Sequence, residues 1–174
     1  MLSFLQFIIH YLNDRNIPYM LSGSVALSVY TLPRATRDFD FIINLQPKDA
    51  DAFVANFKEG FYCDADAVKE AIKNSSMFNI IDHSSGFKAN FVILKDNTFR
   101  QTEFNRRKQV DFYGSPIYIV SPEDLLLSKL IWIQEIKSNL QMEDIKNLST
   151  VQGLDWDYIH KWIKSLNLNT FNLL

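Results

Sequence analysis

Two aspartates stand one residue apart in Asp38-Phe39-Asp40-Phe41-Ile42-Ile43. The bulky apolar content of this stretch predicts a strand over 38–45. Alternation along a strand puts Asp38 and Asp40 on one face and sends Phe39 and Phe41 to the other, into a core. Two carboxylates side by side repel each other and are stable as a pair chiefly when a cation sits between them. Upstream, Gly23-Ser24 leads into a helical segment over 25–30 and offers backbone N–H groups and a hydroxyl at a helix start, a setting that binds phosphate. Arg34 and Arg37 add positive charge nearby. A phosphate loop followed by a metal-binding acid pair suggests a nucleoside triphosphate (NTP) with Mg2+. The plainer alternative is a pair of solvated acids on an edge strand and an ordinary turn at Gly23. A bare Asp-x-Asp favours that alternative, and the Gly-Ser at this distance turns the balance.

The elements that must position these residues follow from periodicity. Leu2, Leu5, Ile8, Ile9 and Leu12 share a helical face, with Ser3 as a candidate cap. After a break over 13–18, residues 19–21 form a short strand, and Pro33 closes the segment that follows. Residues 47–59 read as a helix with Phe53, Val54 and Phe57 inward. Asp64 caps a second helix over 65–73. Residues 77–81 and 87–94 form a hairpin around His83-Ser84-Ser85-Gly86, and 109–113 with 117–120 form another around Gly114-Ser115. Ser121-Pro122-Glu123-Asp124 starts a helix that runs to 137, with Ser as cap, Pro in the first turn and acids at the positive end. Two further helices are expected, over 141–151 and 156–166.

Composition sets the outer limits. The chain has 174 residues, 47% hydrophobic and 22% charged, with 14 Phe, 7 Tyr and 3 Trp to build a core. A single Cys63 excludes a disulfide framework and a cysteine-based zinc site, and it reads as a buried structural thiol. The net charge of −2 excludes a whole-chain basic footprint for nucleic acid. The apolar runs are far short of a membrane span, and the N-terminal one reads as a first helix. His10, His83 and His160 are too dispersed for a zinc or catalytic role. Trp132, Trp156 and Trp162 are expected to pack the C-terminal helices.

Three further blocks accompany Gly23-Ser24, Arg34, Thr36, Asp38 and Asp40: Gly86-Phe87-Lys88-Ala89-Asn90-Phe91, Ser121-Pro122-Glu123-Asp124 through Lys129-Leu130, and Glu143-Asp144-Ile145. Together they resemble the motifs of the nucleotidyltransferase superfamily with the polymerase-β-like fold: G-[GS] with R-x-T-x-D-x-D, K-x-[DE], S-P-E-D-L with K-L, and a tail-helix acid. The likeness is strongest to the small bacterial branch that includes the AbiEii-type toxins of abortive-infection systems. It implies an α/β (α+β) fold, a mixed sheet flanked by helices over 1–120 and a helical subdomain over 121–174 packed on it. By this resemblance Asp38 and Asp40 hold Mg2+ (or Mn2+) and the triphosphate. Gly23, Ser24, Arg34, Thr36, Lys88 and Lys129 contact the nucleotide, and Asp144 lies near the cleft. For Lys88, Lys129 and Asp144 the alternative is ordinary surface charge. The implied reaction moves a nucleoside monophosphate from an NTP to a hydroxyl of an RNA (a tRNA end), a protein or a small molecule. A cognate antitoxin protein is a further implied partner, and the implied location is the cytoplasm.

Asn90 departs from the pattern, because relatives carry a carboxylate there. That third acid ligates a second ion and helps deprotonate the attacking hydroxyl. An amide cannot act as a base, although its carbonyl oxygen can still serve a hard cation. A hairpin turning at Ser84-Ser85 sets Asn79 opposite Asn90 and Asp82 opposite Phe87, which puts Asp82 on the wrong face to substitute. Asp96 lies too far along, and Asp111 stays open. Either the chain is a weakened or dead transferase that still binds nucleotide or a protein partner, or a third acid arrives from elsewhere. Finally, Arg100, Arg106, Arg107 and Lys108, interleaved with Phe99 and Phe104, form a local basic cluster. It reads as an exposed loop and strand entry, as a surface that steers RNA, or as lining of the nucleotide cleft.

Overall fold

A computed structural model describes residues 2–112 and 114–174. Helix α1 (Leu2–Asp14) leads into β1 (Tyr19–Ser22), α2 (Gly23–Tyr30) and β2 (Asp38–Ile43). Then come α3 (Ala50–Asn56), β3 (Phe61–Cys63), α4 (Ala65–Asn74), β4 (Met77–Asp82) and β5 (Lys88–Ile93). Helix α5 (Thr98–Asn105), β6 (Lys108–Phe112) and β7 (Ser115–Ile119) precede the C-terminal helices α6 (Pro122–Glu135), α7 (Asn139–Ser149) and α8 (Trp156–Ser165). The strands form one seven-stranded mixed sheet in the order β3-β4-β5-β2-β1-β7-β6. Strand β2 lies near its middle, antiparallel to β1 and parallel to β5.

The sheet separates two cores. Strands β2 and β5 alternate half-buried and buried residues along their length. Phe39, Phe41, Ile43, Ala89, Phe91 and Ile93 face one side, where they meet α1, α3 and α4 through Leu5, Ile8, Leu12, Phe53 and Val68. Phe41 and Phe91 stack with ring centroids 5.2 Å apart, and Phe78 adds a ring 5.1 Å from Phe91. Each such ring contributes about 1.5–3 kcal/mol when buried. On the opposite side, Met20 and Val120 join Ala26, Leu27, Phe99, Leu126, Ile145 and Trp162 in a second core built largely from α2 and α5 to α8. Asp38, Asp40, Lys88 and Asn90 lie on this second side of β2 and β5 and stay only half-buried.

Most expected elements are present, including the 77–94 hairpin, where Asn79 pairs with Asn90. Asp64 caps α4 by accepting from the Ala67 N–H at 2.9 Å, and Ser121 caps α6 by accepting from that of Asp124 at 3.2 Å. Several expectations are corrected. The helix over 47–59 is a 3-10 turn at Pro47–Asp49 followed by the short α3. Ser3 lies inside α1, so it is not the cap. The stretch read as a basic loop contains α5, and residues 61–63 form an edge strand, β3. Cys63, in that strand, is half-buried rather than fully buried, and burial with the nearby Asp64 charge pushes its thiol up to about 11. The strand expected over 109–113 ends on Tyr113, outside the described residues. No described helix is long and apolar enough to cross a membrane.

Candidate active site

Three neighbouring strands bring the first group of residues together. Register sets Ser22 and Asn90 on either side of Asp40, and Lys88 beside Asp38. Asn90 donates from Nδ2 to Asp40 Oδ1 at 2.9 Å, and Lys88 Nζ lies 3.6 Å from Asp38 Oδ1. Thr36 Oγ1 accepts from the Asp38 N–H at 3.2 Å, so it fixes the start of β2. Gly23 packs directly on the acid: a Cβ there would lie 2.0 Å from Asp40 Oδ2, and its φ of +62° is one that side chains rarely adopt. Both constraints require glycine. The Ser22 side chain makes no capping hydrogen bond at the start of α2, which leaves the first N–H groups of the helix to other acceptors.

The C-terminal helices bring the second group. Lys129, on α6, donates from Nζ to Asp144 Oδ2 at 2.8 Å and to Gln141 Oε1 at 2.8 Å, both on α7. Arg34 Nη2 reaches the same Asp144 oxygen at 3.2 Å, while its Nε is buried with no partner. One carboxylate thus holds two cations. Burial lowers the Lys129 pKa below its ordinary value. The hydrogen bond and charge of Asp144 oppose this, Arg34 adds to the lowering, and the Asp40 charge opposes it. Lys129, on the helical tail, thus also feels the charge of Asp40 on β2.

A cavity of about 440 Å³ opens between the sheet and α6. Gly23, Asp40, Asn90, Lys129 and Gln141 are on its wall, together with apolar Ile42, Val92, Leu94 and Leu125. Asp38, Lys88, Arg34 and Asp144 lie off that wall but neighbour or bond to it, and Ser24 follows Gly23 in α2. Trp132, expected to pack between helices, is 44% exposed and lines the cavity instead.

No described acid takes the place left by Asn90. Asp82 ends β4, its carboxylate accepting from Ser84 and Ser85 of the following turn. Burial pushes that carboxyl up, and those hydrogen bonds outweigh it and hold the pKa low. Asp111 is on edge strand β6, separated from β2 by β7 and β1, and accepts from the Gly114 N–H. Among the described residues, no group of three or more His, Cys, Asp or Glu could hold a metal.

Sequence reasoning missed one acid on the cavity wall. Glu103 of α5 is 1% exposed and accepts from Ser128 Oγ at 2.5 Å and Arg100 Nη1 at 2.8 Å. Burial raises its pKa against the pull of Arg100 and Ser128. With both oxygens engaged, it is no ready base. The signal was available in Asn97, which caps α5 by accepting from the Arg100 N–H at 2.9 Å. The basic cluster is likewise largely committed inside the molecule. Arg106 Nε bonds to Asp124 at 3.1 Å and its guanidinium lies 3.9 Å from the Tyr158 ring centroid, while Arg107 stacks on Phe104. That engagement counts against an RNA-steering surface at Arg106 and Arg107, whereas Arg100 lines the cavity.

The fold thus brings together an acid pair on a central strand, a glycine-opened helix against it and a lysine from a following helix. The family model described as "Nucleotidyltransferase of unknown function (DUF6036)" matches residues 4–172, and the chain belongs to that family. A search of curated proteins finds no match. Among solved structures, the antibiotic-resistance factor ANT(2'')-Ia aligns with a TM-score of 0.65 at 12% identity, over 95% of this chain and 90% of that one. The same protein in complex with adenylyl-2''-tobramycin gives 0.63 at 11%, over 95% of each chain. The lincosamide antibiotic adenylyltransferase LnuA, with lincomycin bound, gives 0.60 at 15%, over 85% of this chain and 96% of that one. At such identities the likeness shows the fold. The family's description supports nucleotidyl transfer as the general reaction class.

Proposed function

We propose that this chain transfers a nucleoside monophosphate from an NTP to a hydroxyl acceptor, with Mg2+ and release of pyrophosphate. The observation that carries the proposal is the packing of Gly23 against Asp40, because it seats a helix start directly beside a strand carboxylate pair. A phosphate with its counter-ion fits a contact of this kind. The donor set fits a single hard cation: Asp38 and Asp40 supply carboxylates, and a half-turn of the Asn90 amide would present its carbonyl oxygen. Bound there, the ion would neutralise charge on the triphosphate.

The chain's own residues supply the rest. The N–H groups opening α2 hold phosphate oxygens, and Lys129 offers a desolvated point charge to them. The unpartnered Nε of Arg34 is a further donor for an anion. Asp144 keeps both cations in place until phosphate arrives. Without a carboxylate at position 90, the acceptor hydroxyl loses its proton with little help. Phosphoryl-type transfer through a loose transition state depends mainly on positioning and charge, so transfer is slowed and not abolished. A missing base costs about 10²–10⁴-fold.

The test is incubation of the protein with each α-labelled NTP, Mg2+ and pooled hydroxyl acceptors (total RNA, protein extract and a small-molecule extract). Label is expected on one pool, and it is expected to vanish in Asp40→Asn and Gly23→Ala. A specific observation supports a second reading: the hydrogen bond from Asn90 to Asp40 occupies one oxygen of the acid pair. On that reading the chain binds NTP without transferring it. NTP binding with no label on any pool would select it and overturn the first.

A further inference from the structure

We infer that the cavity beneath α6 seats the nucleobase and that Arg100 makes it select bases with a ring carbonyl (guanine, uracil or cytosine) over adenine. This rests on the nucleotidyl-transfer reading, since the phosphates are taken to sit at Gly23 and Asp40.

Direction along the sheet comes first. From Asp40 and Asn90 the cavity wall continues to Ile42 and Val92, which are paired one step further along β2 and β5. Each two-residue step is roughly 7 Å, so the wall leads away from the acids by about the length of a nucleoside. The wall is apolar there, as the faces of a base require. Trp132 adds a large aromatic surface, 44% exposed, on a helix whose other apolar side chains are mostly buried. Bases stack on such rings with little dependence on sequence.

The far end of the cavity is polar and one-sided. Arg100 Nη1 donates both to Glu103 and to Ser128 Oγ, the latter at 2.6 Å, which uses that nitrogen's two hydrogens. Among the described residues, Nε and Nη2 make no hydrogen bond, which leaves three N–H donors on Arg100, a residue that lines this cavity and, with Lys95, a second one beside α8. Lys95, on the same wall, can only donate. The neighbouring acceptors are already engaged inside the protein: each oxygen of Glu103 accepts one hydrogen bond, and Ser128 donates to one of them. An end that donates matches a carbonyl edge, as in arginine bound to O6 and N7 of guanine. The adenine amino group would instead face donors.

The experiment is calorimetric titration, with Mg2+, of the unaltered chain and of two variants with tripolyphosphate, ATP, GTP, UTP and CTP. Arg100→Lys keeps a cation beside Glu103, so the buried carboxylate stays paired. Trp132→Leu removes the ring. At least one carbonyl-bearing NTP is expected to bind about tenfold or more tightly than ATP, the discrimination of one good bidentate contact. Arg100→Lys is expected to bring the four NTPs together and leave tripolyphosphate unchanged. Trp132→Leu is expected to weaken all four NTPs alike and spare tripolyphosphate. ATP binding as tightly as every other NTP, or a preference that survives Arg100→Lys, overturns the inference alone. If tripolyphosphate itself does not bind, the transferase reading falls and takes the inference with it.

Discussion

Asn90 and Lys129 both reach Asp40, one by a hydrogen bond and the other through its charge. Asn90→Asp would replace a donor 2.9 Å from Asp40 with a like charge. In EDTA this is expected to cost about 1–3 kcal/mol, from the lost bond and the repulsion. Mg2+ should return that stability, because an ion that binds only the folded state stabilises it. Thermal melts against MgCl2 check both halves: a lower Tm in EDTA, and a steeper rise with Mg2+ than the unaltered chain shows. A variant that melts like its parent in EDTA would mean that the two side chains do not interact as described. Lys129 gives a pH prediction. Burial lowers its pKa, so it loses its positive charge at a lower pH than an ordinary lysine, whose value is about 10.4. Tripolyphosphate binding should therefore weaken as pH rises through this depressed value, before ordinary lysines titrate. Lys129→Arg should flatten the profile, since arginine stays charged. Titrations between neutral pH and about 10 separate the two profiles. An identical alkaline fall in Lys129→Arg would assign it to another group.

At the level of elements, α6 is anchored by its first turn. Asp124 is fully buried, and its Oδ2 accepts from Ser121 Oγ at 2.6 Å and from Arg106 Nε at 3.1 Å, while Oδ1 accepts from Tyr158 OH at 2.6 Å. The carboxylate thus joins α6 to α8 and to the residue that ends α5. Asp124→Ala removes the nearer partner of Arg106, whose guanidinium keeps Glu123 at 3.5 Å, and leaves the Tyr158 hydroxyl without its acceptor, and should cost about 1–3 kcal/mol. Urea unfolding measures it, and a loss below 1 kcal/mol would show that the network is not a fastener. The sequence announced half of this: Ser-Pro-Glu-Asp marks a helix start by capping and dipole. Nothing local shows that Arg106 and Tyr158 converge on the same acid, because those contacts cross 18 and 34 residues. The strand acids were readable for the opposite reason. Alternation alone puts Asp38 and Asp40 on one face, and a four-residue turn region fixes Asn79 opposite Asn90. Helix α5 was hidden because Arg100 and the arginines just beyond its end look solvated in sequence, while in the fold Arg100 pairs with a buried Glu103. Strand β3 has three residues, too few for any period to show.

Across the whole molecule, the question is whether the helices after residue 121 form a separate unit. The second core mixes Met20, Leu27, Phe99, Phe104 and Val120 with Leu126, Leu130, Ile145, Ile159 and Trp162, so continuous apolar packing joins front and tail. The site has the same distribution: Asp40 and Asn90 come from the sheet, Lys129 and Gln141 from the tail, and Arg34 on the front bonds Asp144 on the tail. Removing the tail would expose Met20 and Val120, both fully buried, and strip Arg34 of its partner. A chain built this way should unfold in one cooperative step. The sequence supplies its own probes, because all 3 tryptophans, Trp132, Trp156 and Trp162, lie in the tail, whereas far-ultraviolet circular dichroism reports sheet and helices throughout. Urea transitions followed by the two signals are expected to coincide in midpoint and slope. An earlier fluorescence transition would mean that the tail detaches first. Lys129, Gln141 and Asp144 would then leave Asp40 before the sheet unfolds, and the nucleotide site would be the least stable part of the molecule. On the proposed function, Mg2+ with the preferred NTP should shift both curves together, since a ligand held by both Asp40 and Lys129 would bridge the two halves and share its binding energy across the single transition.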